Sequence, residues 1–120
     1  MKRKHHDLIT WQKSIELVKD IYTETSRFPK DEKYVLTAQM RRSAISIPSN
    51  IAEGAARTSD REFLNYLSIA RGSLSELETQ IIISKKLGYI QNDTCLLEKI
   101  NDVYGLINGL INSVKQRNIK

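Results

Sequence analysis

The sequence predicts an all-α fold, a single up-down-up-down antiparallel four-helix bundle, on three observations. Apolar residues recur at spacings of three and four along four long segments, the connections are short and carry cap or turn residues, and no stretch alternates like a half-buried strand. The 120 residues form one domain, large enough to bury roughly two thirds of the unfolded surface without disulfides or structural metals.

The first helix is expected over about 10–26, with Trp11, Ile15, Val18, Tyr22 and Thr25 on its packing face. Phe28-Pro29 ends it, because a residue before proline is steered away from helical geometry. The second helix is expected over about 32–56, opened by the carboxylates of Asp31 and Glu32. Its apolar face is Met40, Ala44, Ile47, Ile51 and Ala55. Pro48 lies inside it, where a lost hydrogen bond costs about 3 kcal/mol unless compensated. A kink is expected, with Ser43, Ser46 and Ser49 bonding freed carbonyls.

The third helix, about 59–87, starts at a capping box, Ser59 with Glu62, and carries a seam of Phe63, Leu67, Ala70, Leu74, Leu77 and Ile81. Gly88 supplies its left-handed stop. Asn92 or Asp93 caps a fourth helix over about 93–116, whose core positions include Leu96, Ile100, Val103, Ile107, Ile111 and Val114, joined by Leu97, Tyr104 and Leu110. Gly72-Ser73 and the pair Gly105 and Gly109 are expected at close helix contacts, and Cys95 as a small, inert packing residue. Basic, disordered tails are expected at both ends.

A hydrophobic fraction of 40% and a charged fraction of 28% belong to a soluble globular protein, and a lone cysteine excludes an internal disulfide framework. No apolar run approaches the ~20 residues of a membrane span, and polar residues interrupt what would be a signal peptide. A cytoplasmic, non-membrane location is therefore expected. The net charge of +5 is unevenly placed: Lys2, Arg3, Lys4, Lys115, Arg117 and Lys120 sit at the chain ends, which leaves residues 5–114 with 13 basic and 14 acidic side chains. The folded body is near neutral, and the tails serve either solubility or an acidic partner.

The second helix has a second face, formed by Gln39, Arg42, Ser43, Ser46, Ser49, Asn50, Glu53 and Arg57. Gln39, Ser46, Ser49, Asn50 and Glu53 read as a polar seam between helices or subunits. Arg41, Arg42, Arg57, Arg61 and Arg71 are the candidate partner-binding residues, because no lysine lies between positions 34 and 84. Guanidinium forks clasp phosphate or carboxylate in two places. They contact either nucleic-acid phosphate or an acidic protein face, or else pair with Glu53, Asp60, Glu62 and Glu76 within or between subunits. Trp11 and Tyr22 suit core or interface better than base stacking. Catalysis by Glu53 would need a second acid, a histidine or a metal, and the only histidines, His5 and His6, lie in the N-terminal tail. No catalytic residue, metal or cofactor is expected.

The residues Trp11-Gln12-Lys13, Phe28-Pro29, Leu36 to Ser43, Ser46 to Gly54, Ile69 to Ser73 and Leu77 to Gln80 resemble the four-helix bundle family encoded in intervening sequences of bacterial 23S ribosomal RNA genes, also labelled S23 ribosomal proteins. The resemblance covers about residues 7–90, and Ser46 to Gly54 is its most specific stretch. It implies a small bundle that assembles into a ring-like homopentamer with no established enzyme activity. Among its relatives is the accessory protein of diversity-generating retroelements, a basic pentamer that binds nucleic acid and a reverse transcriptase. The expected function is a non-enzymatic, oligomeric RNA-binding or other nucleic-acid-binding module. The alternative is a protein-protein scaffold or accessory subunit.

Overall fold

The structure is a computed structural model describing residues 3–117. Met1, Lys2 and residues 118–120, with the tail charges Lys2 and Lys120, lie outside the described residues. Four helices form the bundle: α1 (Ile9–Thr25), α2 (Leu36–Ala55), α3 (Asp60–Lys86) and α4 (Thr94–Arg117). Short 3-10 turns, Lys4–Asp7 and Lys30–Glu32, precede α1 and α2.

The start of α3 follows the capping logic of the sequence, since Ser59 Oγ accepts from the Glu62 amide at 3.2 Å. At its other end Gly88 takes φ +82°, and the amides of Tyr89 and Gly88 bond the carbonyls of Ser84 and Lys85. Before α4, Asn92 Oδ1 accepts from the Thr94 amide at 3.0 Å while the Asp93 carbonyl accepts the first helical bond.

α2 starts four residues later than expected. Pro29 is extended and Val35 has φ −117° and ψ −97°, so residues 30–35 turn and do not extend the helix. Glu32 is drawn away from a helix-capping role because its carboxylate accepts from the Tyr89 hydroxyl at 2.8 Å. That bond, aided by burial, raises the Tyr89 pKa. Beyond this entry α2 continues unbroken through the buried Pro48. Ser43 Oγ donates to the Gln39 carbonyl at 2.9 Å and Ser46 turns toward α3, so the expected service to carbonyls freed by Pro48 goes elsewhere.

α1 is rotated from the expected register. Its buried face is Thr10, Ser14, Leu17, Ile21 and Thr25, whereas Ile15 is 44% exposed and Tyr22 39% exposed. The buried stripe is the smaller one, which lets α1 lie close to its neighbours. Two of its hydroxyls are satisfied within the helix, Ser14 Oγ donating to the Trp11 carbonyl at 2.8 Å and Thr25 Oγ1 to that of Ile21 at 2.7 Å, while Thr10 Oγ1 donates across to the Leu106 carbonyl of α4 at 3.4 Å. Across the α1–α4 side, Lys99 Nζ meets Asp20 at 2.6 Å. The core proper combines Ile21, Met40, Ile47, Ile51, Leu67, Leu74, Ile100 and Ile107, all at or near zero exposure.

Three glycine assignments change. Gly72, Gly105 and Gly109 are exposed helical positions with open space where a Cβ would stand. Close approach occurs instead at Gly54, where a Cβ would stand 2.6 Å from Tyr66 Cβ and 3.0 Å from Phe63 Cδ1. Cys95 is exposed and so is not a packing residue, because the first turn of α4 directs it away from the core.

The N-terminal residues 4–7 are a 3-10 turn where a disordered tail was expected. The half-buried His5 and Trp11 rings sit edge to face, 5.0 Å between centroids, and Gln12 Nε2 donates to the His6 carbonyl at 2.9 Å. Burial first, then the charges of His6 and Arg3, lowers the His5 pKa. A lowered folded value means the unfolded chain takes up the proton first. The turn is therefore fully stabilised above a histidine's ordinary value of about 6.5 and loses that contribution as pH falls through the lower folded value. Fluorescence of Trp11, the sole tryptophan, is expected to be flat from about pH 8 to 6.5 and to change below it. A transition centred within that range would contradict the half-buried placement of His5.

Candidate functional site

The polar residues of α2 meet α3 in a line of hydrogen bonds. Asn50 Nδ2 donates to the Ser46 carbonyl at 2.7 Å and to Ser46 Oγ at 2.9 Å, and Ser46 Oγ lies 2.9 Å from Ser73 Oγ. This order lets Ser46 accept from Asn50 and donate to Ser73. Beside it, Gln39, Arg42, Ser43, Ser46, Ser73 and Glu76 line a shallow polar concavity. Ser49 points outward and is exposed. At the far end of α2, Arg57 Nη2 bonds both Glu53 Oε1 at 3.1 Å and the Tyr66 hydroxyl at 2.7 Å, closing the corner over Gly54.

The five arginines fall into two groups. Arg41 stacks its guanidinium 4.4 Å from the Tyr22 ring centroid and donates from Nε to Thr25 Oγ1 at 3.0 Å, tying α2 to α1. Arg71 Nη1 donates to Asn108 Oδ1 at 2.9 Å, tying α3 to α4. With Arg57, these side chains have partners inside the bundle. Arg42 and Arg61 are exposed and make no ion pair among the described residues. The five do not converge on one patch. Asp60, expected among the arginine partners, takes Arg117 at 2.9 Å.

Tyr66 and Asn108 complete these contacts and carry no sequence signal of their own, since each is recognised only by what it touches across a helix pair; Ser73, expected at a close helix contact, does meet Ser46 of α2, and Tyr104, expected in the core, is half-buried. Tyr104 and Ser75 form a hydroxyl pair between α4 and α3. Gln80 leaves one polar atom unmet: the residue is 6% exposed and Oε1 has no hydrogen-bond partner among the described residues. Replacing it by methionine removes an unsatisfied acceptor at similar volume and is expected to raise stability by about 1 kcal/mol in urea denaturation. Loss of stability would mean that Oε1 is bonded in solution.

A second surface feature follows from the rotation of α1. Trp11, Ile15 and Val18 of α1 and Ile45, Pro48 and Ala52 of α2 line a groove of about 320 Å³ whose wall is mostly apolar. Trp11 and Val18 were expected inside, and here they are half-covered at the surface.

The sequence profile of the 23S rRNA-intervening sequence protein family matches residues 6–109. The chain belongs to that family. A crystal structure of a protein of unknown function from the S23 ribosomal protein family of Bacteroides thetaiotaomicron superposes with a TM-score of 0.78 at 23% identity, over 87% of this chain and 96% of that one. At that identity the likeness concerns the fold, and it confirms the four-helix architecture of this intervening-sequence protein. No curated protein matches the chain. No helix is long and apolar enough to cross a membrane among the described residues.

Proposed function

We propose that this intervening-sequence protein is a non-catalytic, self-associating cytoplasmic module that binds structured RNA through phosphate contacts. The observation that carries the reading is what packing leaves unused. Arg42 and Arg61 stay exposed without an ion pair among the described residues, and planar guanidinium donors at such positions suit phosphate oxygens. Glu53 has no chemistry in this reading, because its carboxylate is held by Arg57 and Tyr66.

Support for self-association comes from the exposed stripe on α1 and α2. Apolar surface rimmed by polar side chains marks protein contacts, and Trp11 and Tyr22 are residue types enriched in them. A homopentameric ring, the assembly implied by the family resemblance, would repeat each exposed arginine around its axis. Ile45→Asp is expected to dissociate the assembly while changing the intrinsic stability of the bundle by no more than about 0.5 kcal/mol, because Ile45 is already exposed. Unchanged mass in light scattering would remove the stripe from the interface.

The same stripe favours a second reading, a protein-protein scaffold with no direct nucleic-acid contact. Size-exclusion chromatography with light scattering, run before and after nuclease treatment, separates the two. The first reading predicts an oligomer about five times the 13.8 kDa chain, carrying nuclease-sensitive absorbance. A monomer free of nucleic acid in both runs would contradict it.

A further inference from the structure

Both chain ends arrive at the same end of the bundle. An even number of antiparallel helices places the start of α1, the α2–α3 corner and the end of α4 together. The observed contacts agree: Arg117 Nη2 bonds Asp60 at 2.9 Å, and a concavity of about 240 Å³ is lined by residues of all four helices or their flanks, among them Lys4, Leu8, Arg57, Asp60, Leu110 and Arg117. The described charges near the two ends, Arg3, Lys4, Lys115 and Arg117, are therefore one cluster in space.

That cluster holds Arg3, Lys4, Arg57, Arg61, Lys115 and Arg117, against Asp7, Glu53, Asp60 and Glu62 by position. Lys2 and Lys120 lie outside the described residues. Setting aside these residues leaves 11 basic and 10 acidic residues on the rest of the molecule. The bundle is 51 Å long, several times the screening distance of about 8 Å at physiological salt, so this pole acts independently of the other. The opposite pole balances its charge in pairs such as Arg27 with Glu24 and Lys85 with Asp93.

We infer that this pole, with Arg61, is the surface of the protein that takes the phosphate backbone of RNA, while Arg41 and Arg71 serve the bundle and Arg42, toward the other end of α2, lies outside it. The inference rests on the RNA-binding reading above and locates its site. Phosphate is favoured over an acidic protein by the surface chemistry. A protein interface needs an apolar centre, and among the described residues Ile9 is the one large exposed apolar side chain near this pole; Ile15, Ile45, Ile69, Ile82 and Ile83 lie farther along the bundle. Arg61 and Lys115 are exposed and make no ion pair among the described residues, so they reach a ligand without breaking an internal contact.

The test uses the full chain and a labelled 20-base-pair RNA hairpin, with binding followed by anisotropy from low to moderate salt. Arg61→Ala/Lys115→Ala is expected to weaken binding about tenfold near 50 mM salt and to reduce the slope of log K against log salt by about two. Lys19→Ala/Lys86→Ala removes the same charge away from the pole and is expected to change binding less than twofold. Circular dichroism checks that both remain folded. Equal losses in the two variants, or none in the pole variant while the natural protein binds, would overturn the location and leave RNA binding standing. No binding by the natural protein would overturn both. Polyglutamate competing as well as RNA of equal charge would assign the pole to an acidic protein and overturn the inference.

Discussion

Replacing Gly54 with valine is expected to destabilise the protein by about 3 kcal/mol, lowering its melting temperature by roughly 10 °C. The Cβ would stand 2.6 Å from Tyr66 Cβ, an atom joined directly to the backbone of α3. Tyr66 cannot rotate it away, so the α2–α3 corner must open, and the bonds from Arg57 to Glu53 and Tyr66 open with it. The contrast lies at Gly105 and Gly109, where nothing lies within 4 Å of a Cβ. Alanine there is expected to stabilise each position by about 0.5–1 kcal/mol through helix propensity. Melting curves of the three variants read the two signs directly. A stabilised Gly54 variant would refute the close approach.

Leu74→Ala is expected to cost about 3 kcal/mol, with a range of 2–5 set by how far the cavity collapses. Leu74 is fully buried in the middle of α3, within a core drawn from all four helices. Ile69, five residues earlier on the same helix, is 45% exposed, and its truncation is expected to cost less than about 1 kcal/mol. Equal losses in urea titration would mean that α3 is rotated from the register described.

Much of this architecture is legible in the sequence because it depends on local signals. Ser59 with Glu62, and Gly88 after Leu87, mark the ends of α3 by backbone chemistry that needs no tertiary partner. Met40, Ala44, Ile47, Ile51 and Ala55 repeat with a single helical phase, and all are buried. The register of α1 is different in kind. Two adjacent stripes, Thr10-Ser14-Leu17-Ile21-Thr25 and Trp11-Ile15-Val18-Tyr22-Thr25, both satisfy helical spacing, and hydropathy favours the second. The first is buried because its hydroxyls find partners there, Ser14 and Thr25 on their own helix and Thr10 on α4, and its small size permits close packing. The larger stripe is left facing out, which is why α1 suggests a partner.

The candidate site divides in the same way. That Ser46, Asn50 and Glu53 share a polar face follows from their spacing, but their contacts with Ser73, Arg57 and Tyr66 depend on how α2 crosses α3. Residue type alone likewise groups five arginines, while Tyr22 and Asn108 hold two of them in place. The basic pole arises from the parity of helix number, which brings Arg3 and Lys4 to the same end of the bundle as Lys115 and Arg117, 111 to 114 residues away in sequence.

The most direct measurement is binding of the purified protein to 23S rRNA fragments at low ionic strength, repeated as salt is raised. The predicted result is saturable binding whose log K falls linearly with log salt, with a slope of about −0.9 for each phosphate neutralised on a duplex. Failure of every fragment to bind above background at low salt would contradict the RNA-binding function.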